Sequence, residues 1–374
     1  MRILLVARHY PPAVSGGSKR PFLLAQALRE AGADVRVAAP SLPEGEPGWT
    51  VPHPHRDPIT RTVTPRYDRI ELMNDLTLWP DPDITWSRGL EQVVLDSGWR
   101  PDWVISTSPP ESIHVSGQRL ARKLGARWAA DFRDLWLQSP HRRERRRPHR
   151  RIGEYLLARM LLWKADLVIA VDPVVAAEAT RLGGRNVHVV PHFVFDEPPP
   201  PADLPRETIN IVHAGSISLS DPEARIPDLL GPFEAAHARN SAIMLHLVGR
   251  LSDAEIAAVK TNAAAHAIRL WGLMSLPEAL RMMAAADALA YVASHKMHVP
   301  PSKIADYLMF SAPIVACGDG PWRNDSRVDR ADPAEVMSQL KKGARRDVAL
   351  RPPTASETAA RVLDLMRQAE AQDE

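Results

Sequence analysis

The chain has 374 residues, 45% of them apolar, and a formal net charge of +2, so it has material for two ordinary α/β cores and lacks the charge excess of a polyanion binder; no nucleic-acid partner is expected. Its one cysteine, Cys317, excludes an internal disulfide and suits a reducing compartment. No apolar run reaches the ~18 residues a membrane span needs, and MRILLVARHYPP reads as a strand meeting a proline pair rather than a signal peptide, so a cytoplasmic protein, soluble or peripherally attached, is expected.

Short apolar runs alternate with helix-length stretches, which predicts parallel sheets flanked by helices. In the first half the predicted strands are Ile3–Ala7, Val35–Ala38, Trp103–Ser106, Trp128–Asp131, Leu167–Val171 and Val187–Val190. A helix is predicted from about Ser18 to Ala31, with Gly32 at its C-terminal cap. The loop before it, Ser15-Gly16-Gly17-Ser18-Lys19-Arg20, could bring backbone N–H groups close to a phosphate through Gly16 and Gly17, or be a plain flexible turn. Asp131, Arg133 and Asp134 follow a strand; they suggest either a site at its carboxyl end or an Arg–Asp clamp holding the loop. His114 follows the Ser106–Pro110 turn.

Four consecutive prolines inside Asp196–Pro205 then read as an extended linker. The alternation restarts with predicted strands Ile209–His213, Ala242–Val248, Ile268–Trp271, Ala288–Val292 and Ile314–Ala316, and a last helix, Glu357–Ala371. The most telling stretch is Pro300–Gly318: a stiff proline pair, Ser302 as a helix cap, Pro313 as a stop, then an apolar strand. Lys303 and Asp306 lie three apart on one face of that helix. Cation, carboxylate and helix N-terminus together suit anionic oxygens beside hydroxyls, as in a nucleotide diphosphate with its ribose; the alternative is a solvated first turn with an internal ion pair.

Pro301-Ser302-Lys303, Asp306-Tyr307 and Pro313-Ile314-Val315 resemble the signature helix of the retaining glycosyltransferase family four. The resemblance implies the GT-B fold: two doubly wound Rossmann-like domains facing a cleft. The boundaries expected are 1–195 for an acceptor-side domain, 196–206 for the linker, 207–350 for a nucleotide-sugar domain, and 351–374 for a helix crossing back to the first. It further implies that Gly16 and Gly17 line the cleft, that His114 faces the donor sugar, and that the Asp131-Phe132-Arg133-Asp134 run serves the acceptor side. Gly215 and Ser216 would approach the diphosphate, and Gly272-Leu273 the nucleobase. Arg250 and Lys303, ranked above Arg225, would hold the phosphates, and Asp306 the ribose. His114, Arg250 and Lys303 are thus the catalytic candidates.

The chain departs from the family where a first glutamate would stand: the position is His298, in the basic loop Ser294–Val299. An imidazole cannot replace a carboxylate that accepts from sugar hydroxyls, so an atypical, even acidic, sugar or weakened binding is expected. Pro191-His192-Phe193 replaces the usual Pro-Asn-Gly. The implied reaction moves a sugar from a nucleotide diphosphate to an acceptor glycan, lipid-linked sugar or small molecule, in cell-surface glycan assembly. A nucleotide-sugar epimerase of the same fold and a non-catalytic binding protein are the alternatives. No metal is expected, because no DxD-type motif stands at a strand end. Finally, HRRERRRPHRR at 141–151 has seven arginines and one glutamate and runs into an apolar stretch with Trp163, which would suit an anionic membrane through Arg142–Arg151; the alternative is a solvated loop with Leu156, Leu157, Met160 and Leu161 packed inward.

Overall fold

The computed structural model describes residues 1–13, 16–53, 79–139, 148–219, 221, 223–292, 302–320, 331–346 and 351–372. The chain divides into two compact units, Met1–Phe193 with Pro353–Glu374, and Val194–Pro352.

In the first unit, β1 (Arg2–Ala7) is buried from Ile3 onward. An apolar run without alternation is what a strand needs when both sheet faces are covered. It joins β2 (Asp34–Ala39), β3 (Gly48–Thr50), β4 (Trp103–Ser108), β5 (Arg127–Phe132), β6 (Leu167–Ala170) and β7 (Val187–Val189). Among the described residues these form one parallel sheet of order β3-β2-β1-β4-β5-β6-β7. The order reverses between β1 and β4, and the carboxyl ends at such a reversal are where open α/β sheets take ligands. The crossovers carry α1 (Lys19–Glu30), α2 (Ile84–Asp96), α3 (Ser112–Leu124), α4 (Pro148–Leu162) and α5 (Pro173–Arg181). Gly32 and Gly125, at φ 89° and 67°, follow α1 and α3 in the left-handed conformation that ends a helix.

The second unit repeats the scheme with β8 (Ile209–Ala214), β9 (Ile243–Val248), β10 (Ile268–Gly272), β11 (Ala288–Val292) and β12 (Ile314–Cys317). They are parallel in the order β10-β9-β8-β11-β12. The helices are α6 (Pro227–Arg239), α7 (Asp253–Thr261), α8 (Leu276–Ala284), α9 (Ser302–Leu308) and α10 (Pro333–Gln339). Ile211, Phe233, Leu245 and Val315 pack in one core layer and Val212, Leu289, Tyr307 and Ile314 in another. The proline-rich stretch is tied to this unit: Leu204 is buried in its core, and the Ala202 N–H donates to the Arg281 carbonyl at 2.9 Å.

The chain ends on α11 (Ala355–Ala371), part of the first unit, opened by a reciprocal cap between Thr354 and Glu357. Trp103 Nε1 donates to Glu370 Oε1 at 2.7 Å and Arg127 to the Ala369 carbonyl at 3.3 Å. The helix buries Val362, Leu363, Leu365 and Met366, each contributing about 1.5–3 kcal/mol of apolar burial.

Candidate functional site

In the second unit, three glycines stand at the carboxyl ends of adjacent strands: Gly215 after β8, Gly249 after β9 and Gly272 closing β10. Their φ values are 107°, 131° and 71°. The Gly215 N–H donates to the Val248 carbonyl at 2.7 Å and the Gly249 N–H to the Gly272 carbonyl at 2.8 Å. A Cβ on Gly249 would stand 2.8 Å from the Gly215 carbonyl carbon, and one on Gly215 would stand 2.6 Å from Lys303 Cε. Only glycine permits both the dihedral and the approach.

Lys303, in the first turn of α9, donates from Nζ to the Ser216 carbonyl. Burial pulls its pKa down to about 8, against the opposing charges of Asp221 and Glu255. Glu255 holds the neighbouring loop in place, accepting from the Ser218 N–H at 3.0 Å and the Ser252 N–H at 2.6 Å. Tyr307 anchors α9 from behind: its hydroxyl accepts from the Ala214 N–H at 2.9 Å and donates to the Ala290 carbonyl at 3.2 Å. Burial drives the His213 pKa down to about 4, so the ring beneath Gly215 is neutral at ordinary pH.

The structure thus brings Gly215, Ser216 and Lys303 together. Asp306 is half-buried on the same short helix. Ser302 is the first helical residue rather than the cap, and the helix ends at Leu308, short of Pro313. There Arg346 donates to the carbonyls of Leu308 and Phe310 at 2.9 and 3.0 Å, satisfying the helix end. Arg250 is exposed just past β9. Gly272 and Leu273 are exposed, and Arg225 pairs with Asp228 at 2.9 Å on the surface. Lys296 and His298 lie outside the described residues.

In the first unit, Gly17 is wedged where a Cβ would come within 2.9 Å of Arg133 Nη1 and 3.3 Å of the His9 ring. Gly16 is exposed. Arg133 donates to the carbonyls of Gly17, of Ser108 at 2.7 Å and of Pro109 at 3.2 Å. Its neighbour Asp131 pairs instead with Arg20, Nη2 to Oδ1 at 2.9 Å and Nε to Oδ2 at 3.1 Å, and accepts from Thr107 Oγ1 at 2.8 Å. Arg20 also donates to the carbonyls of Val190 and Pro191 at 3.1 and 2.8 Å. Burial pushes the Asp131 pKa up, but Arg20, Thr107 and Arg133 outweigh it and hold the carboxyl below its ordinary range. The clamp therefore exists with Arg20 as the partner of the aspartate, and it ties together the loops after β1, β4, β5 and β7.

Asp134 is the exposed member of the run. Its loop is fixed by Glu178, which accepts the N–H groups of Trp136 at 2.6 Å and Gln138 at 2.8 Å. Beside the clamp, burial pulls the Lys19 pKa to about 7. Burial, then Arg20, Lys19 and Arg133, push that of His192 to about 3. Sequence reasoning passed over Arg20, Lys19, Glu255 and Gly249. Gly249 carried a legible signal, a Val-Gly step at a strand end like the Ala-Gly step at Gly215. Arg20 did not, because its partner is 111 residues away.

His114, in the first turn of α3, has no exposed surface. Its ring lies 4.4 Å from that of Phe132 and 6.2 Å from those of Trp128 and Trp136. Ser106 Oγ accepts from Trp128 Nε1 at 2.8 Å and lies 2.9 Å from His114 Nδ1. His114 Nε2 is buried and has no hydrogen-bond partner. Burial pushes the His114 pKa down to about 3, keeping the ring neutral.

Among the described residues, no group of three or more His, Cys, Asp or Glu is placed to hold a metal ion, and no helix is long and apolar enough to cross a membrane. Residues 15–192 match the glycosyl transferase 4-like domain family. No curated protein matches the chain. Among solved structures, Anabaena HepE in complex with UDP and glucose is 14% identical, with a TM-score of 0.59 over 100% of this chain and 99% of that one. A putative UDP-N-acetylglucosamine 2-epimerase from Listeria monocytogenes is 10% identical, with a TM-score of 0.63 over 99% and 97%. AviGT4, a glycosyltransferase involved in avilamycin A biosynthesis, is 14% identical, with a TM-score of 0.56 over 99% and 98%. The fold is therefore GT-B, two Rossmann-like units of parallel sheet and helix, with residues 15–192 of the first similar to a glycosyl transferase 4-like domain.

Proposed function

We propose that the protein transfers a sugar from a nucleoside diphosphate donor to an acceptor hydroxyl, with retention of configuration, in the assembly of a glycan or glycoconjugate. The observation that carries this reading is the junction of Lys303 with the Gly215–Ser216 turn at the carboxyl ends of β8 and β9. A half-buried ammonium at a glycine turn, where no Cβ stands in the way, can stabilise the charge of a departing diphosphate. The UDP and UDP-glucose bound in the HepE structures support the same class of ligand.

Lys303, with Arg250 as second cation, stabilises the negative charge that grows as the bond from the anomeric carbon to the diphosphate breaks. The acceptor oxygen attacks the same face of the sugar, and its proton passes to the departing phosphate oxygen, so no protein nucleophile is used. Asp306 accepts from the ribose hydroxyls, and the backbone at Gly272-Leu273 meets the base. In the first unit Asp131 and Arg133 hold the loop, and Asp134 presents a carboxylate to the acceptor. The basic loop with Lys296 and His298 would select the sugar.

The test is a panel of nucleotide sugars, with released nucleotide measured by chromatography and the product linkage by NMR. Slow donor hydrolysis without acceptor, and a retained anomer with it, support the reading. A sugar returned with inverted ring stereochemistry would make the protein an epimerase, as in the Listeria relative. Tight binding with no turnover would make it a binding protein.

A further inference from the structure

Helix α4 is apolar on its outer side as well as its inner one. Its buried side carries Arg150, Glu154, Ala158, Leu161 and Leu162. Arg150 stacks 5.6 Å from the Trp79 ring, and Gly153 lies so close that a Cβ there would meet the same ring at 2.0 Å. Glu154 faces inward to Trp136 Nε1 at 3.4 Å. The outer side carries the larger apolar groups: Ile152 is 63% exposed, Leu156 58%, Met160 54% and Trp163 59%. Spaced three or four apart, they form one continuous ridge. A shallow depression of about 340 Å³ runs beside it, lined by Leu156, Arg159, Met160, Trp163 and Gly183.

The charge on that face has one sign. From 148 to 164 the only acidic residue is Glu154, and it is buried, whereas Arg151, Arg159 and Lys164 are exposed along the ridge. Arg185 lies 4.7 Å over the Trp163 ring. A ridge this apolar is not what a solvated helix presents, and the exposed cations that flank it, with no exposed acid from 148 to 164, call for an anionic partner surface. Arginine stems that lie along apolar surface with their heads turned outward, and an amphipathic aromatic ring beside them, fit the headgroup level of a bilayer.

We propose that the outer face of α4 is a docking surface for an anionic phospholipid bilayer, with Ile152, Leu156, Met160 and Trp163 entering the acyl boundary and Arg151, Arg159, Lys164 and Arg185 meeting lipid phosphates. The apolar ridge is the anchor. The binding energy of such a helix scales with apolar burial plus attraction to anionic lipid, and both contributions come from this one face. The inference is independent of the donor chemistry proposed above.

Co-sedimentation with phosphatidylcholine–phosphatidylglycerol vesicles, against phosphatidylcholine alone, tests it. Wild-type protein is expected to bind the anionic vesicles at low salt and to leave the neutral ones. The quadruple variant Ile152→Ser, Leu156→Ser, Met160→Ser, Trp163→Ser should lose vesicle binding by at least about tenfold with its thermal unfolding unchanged, because these side chains are already in water. UDP affinity, measured on the same variant, should equal that of wild type, so a failed membrane test leaves the donor reading intact. Arg151→Ser, Arg159→Ser, Lys164→Ser should remove the preference for anionic over neutral vesicles, and a preference kept in that variant would also overturn the proposal. Undiminished binding by the ridge variant, equal binding to both vesicle types, or no binding alongside a dimer that the ridge variant dissociates would each overturn the proposal, the last in favour of a second copy of this chain.

Discussion

Lys303 and Gly215 sit so close that a single added carbon would collide: a Cβ on Gly215 falls 2.6 Å from Lys303 Cε and 2.8 Å from Nζ. The lysine therefore has one place to go, toward the Ser216 carbonyl, and its charge is held at the mouth of β8. Lys303→Ala should weaken UDP binding by roughly 1.5–3 kcal/mol, the scale of a charge-assisted hydrogen bond. Gly215→Ala should do nearly as much, because it strains φ at 107° and displaces the ammonium. Titration calorimetry decides, and unchanged affinity in both variants would remove Lys303 from the donor site.

The same lysine makes opposite predictions for binding and stability as pH rises. Its folded pKa of about 8 lies below its ordinary 10.5. Between those values the unfolded chain holds more protons, so Lys303 contributes stability that increases with pH across that window. Diphosphate binding needs the protonated form, so affinity should fall above about pH 8 while this contribution to stability grows. Lys303→Arg should abolish the fall in affinity. Affinity that is flat from pH 7 to above about 9 would argue against Lys303 as the phosphate ligand.

The Arg20–Asp131 pair should behave as structure. Removing one partner of a buried pair leaves an uncompensated charge and costs about 3–5 kcal/mol, so Asp131→Ala and Arg20→Ala should each lower the denaturant midpoint sharply. Asp134→Ala removes an exposed carboxylate and should stay within about 0.5 kcal/mol of wild type while raising the acceptor KM. Denaturation curves beside steady-state kinetics test both halves. An Asp134→Ala enzyme with normal acceptor kinetics would move the acceptor elsewhere.

His114 should behave as a packing element without a pH signature. With its pKa near 3 it stays neutral through the working range, so the kcat profile should show no limb that disappears in His114→Gln. Its ring has no exposed surface and packs on Phe132 and Trp136, so His114→Ala should lower stability by about 2–5 kcal/mol and leave the kcat of the folded enzyme close to that of wild type. A kcat that falls sharply in a folded His114→Gln enzyme would place the ring against the sugar.

Much of the fold was legible in the chain itself. Ile3–Ala7, Ala288–Val292 and the other apolar runs declare buried parallel strands, because a strand covered on both faces has no polar alternation to show. The last helix, read as Glu357–Ala371, starts two residues earlier at Ala355, because Thr354 caps it reciprocally with Glu357. The three-residue β3 was not legible, since its pairing to β2 is what makes it a strand. Tertiary structure alone decided that Asp131 turns to Arg20 rather than to its neighbour Arg133. It also decided that His114 is walled in by rings from β5 and the loop beyond it, and that α4 buries Arg150 and Glu154 while Leu156 and Met160 face out. Those outcomes depend on which strands become neighbours in the sheet and on what Trp79 and Trp136 offer a helix to pack on. Partners 111 residues apart leave no spacing for a sequence to display.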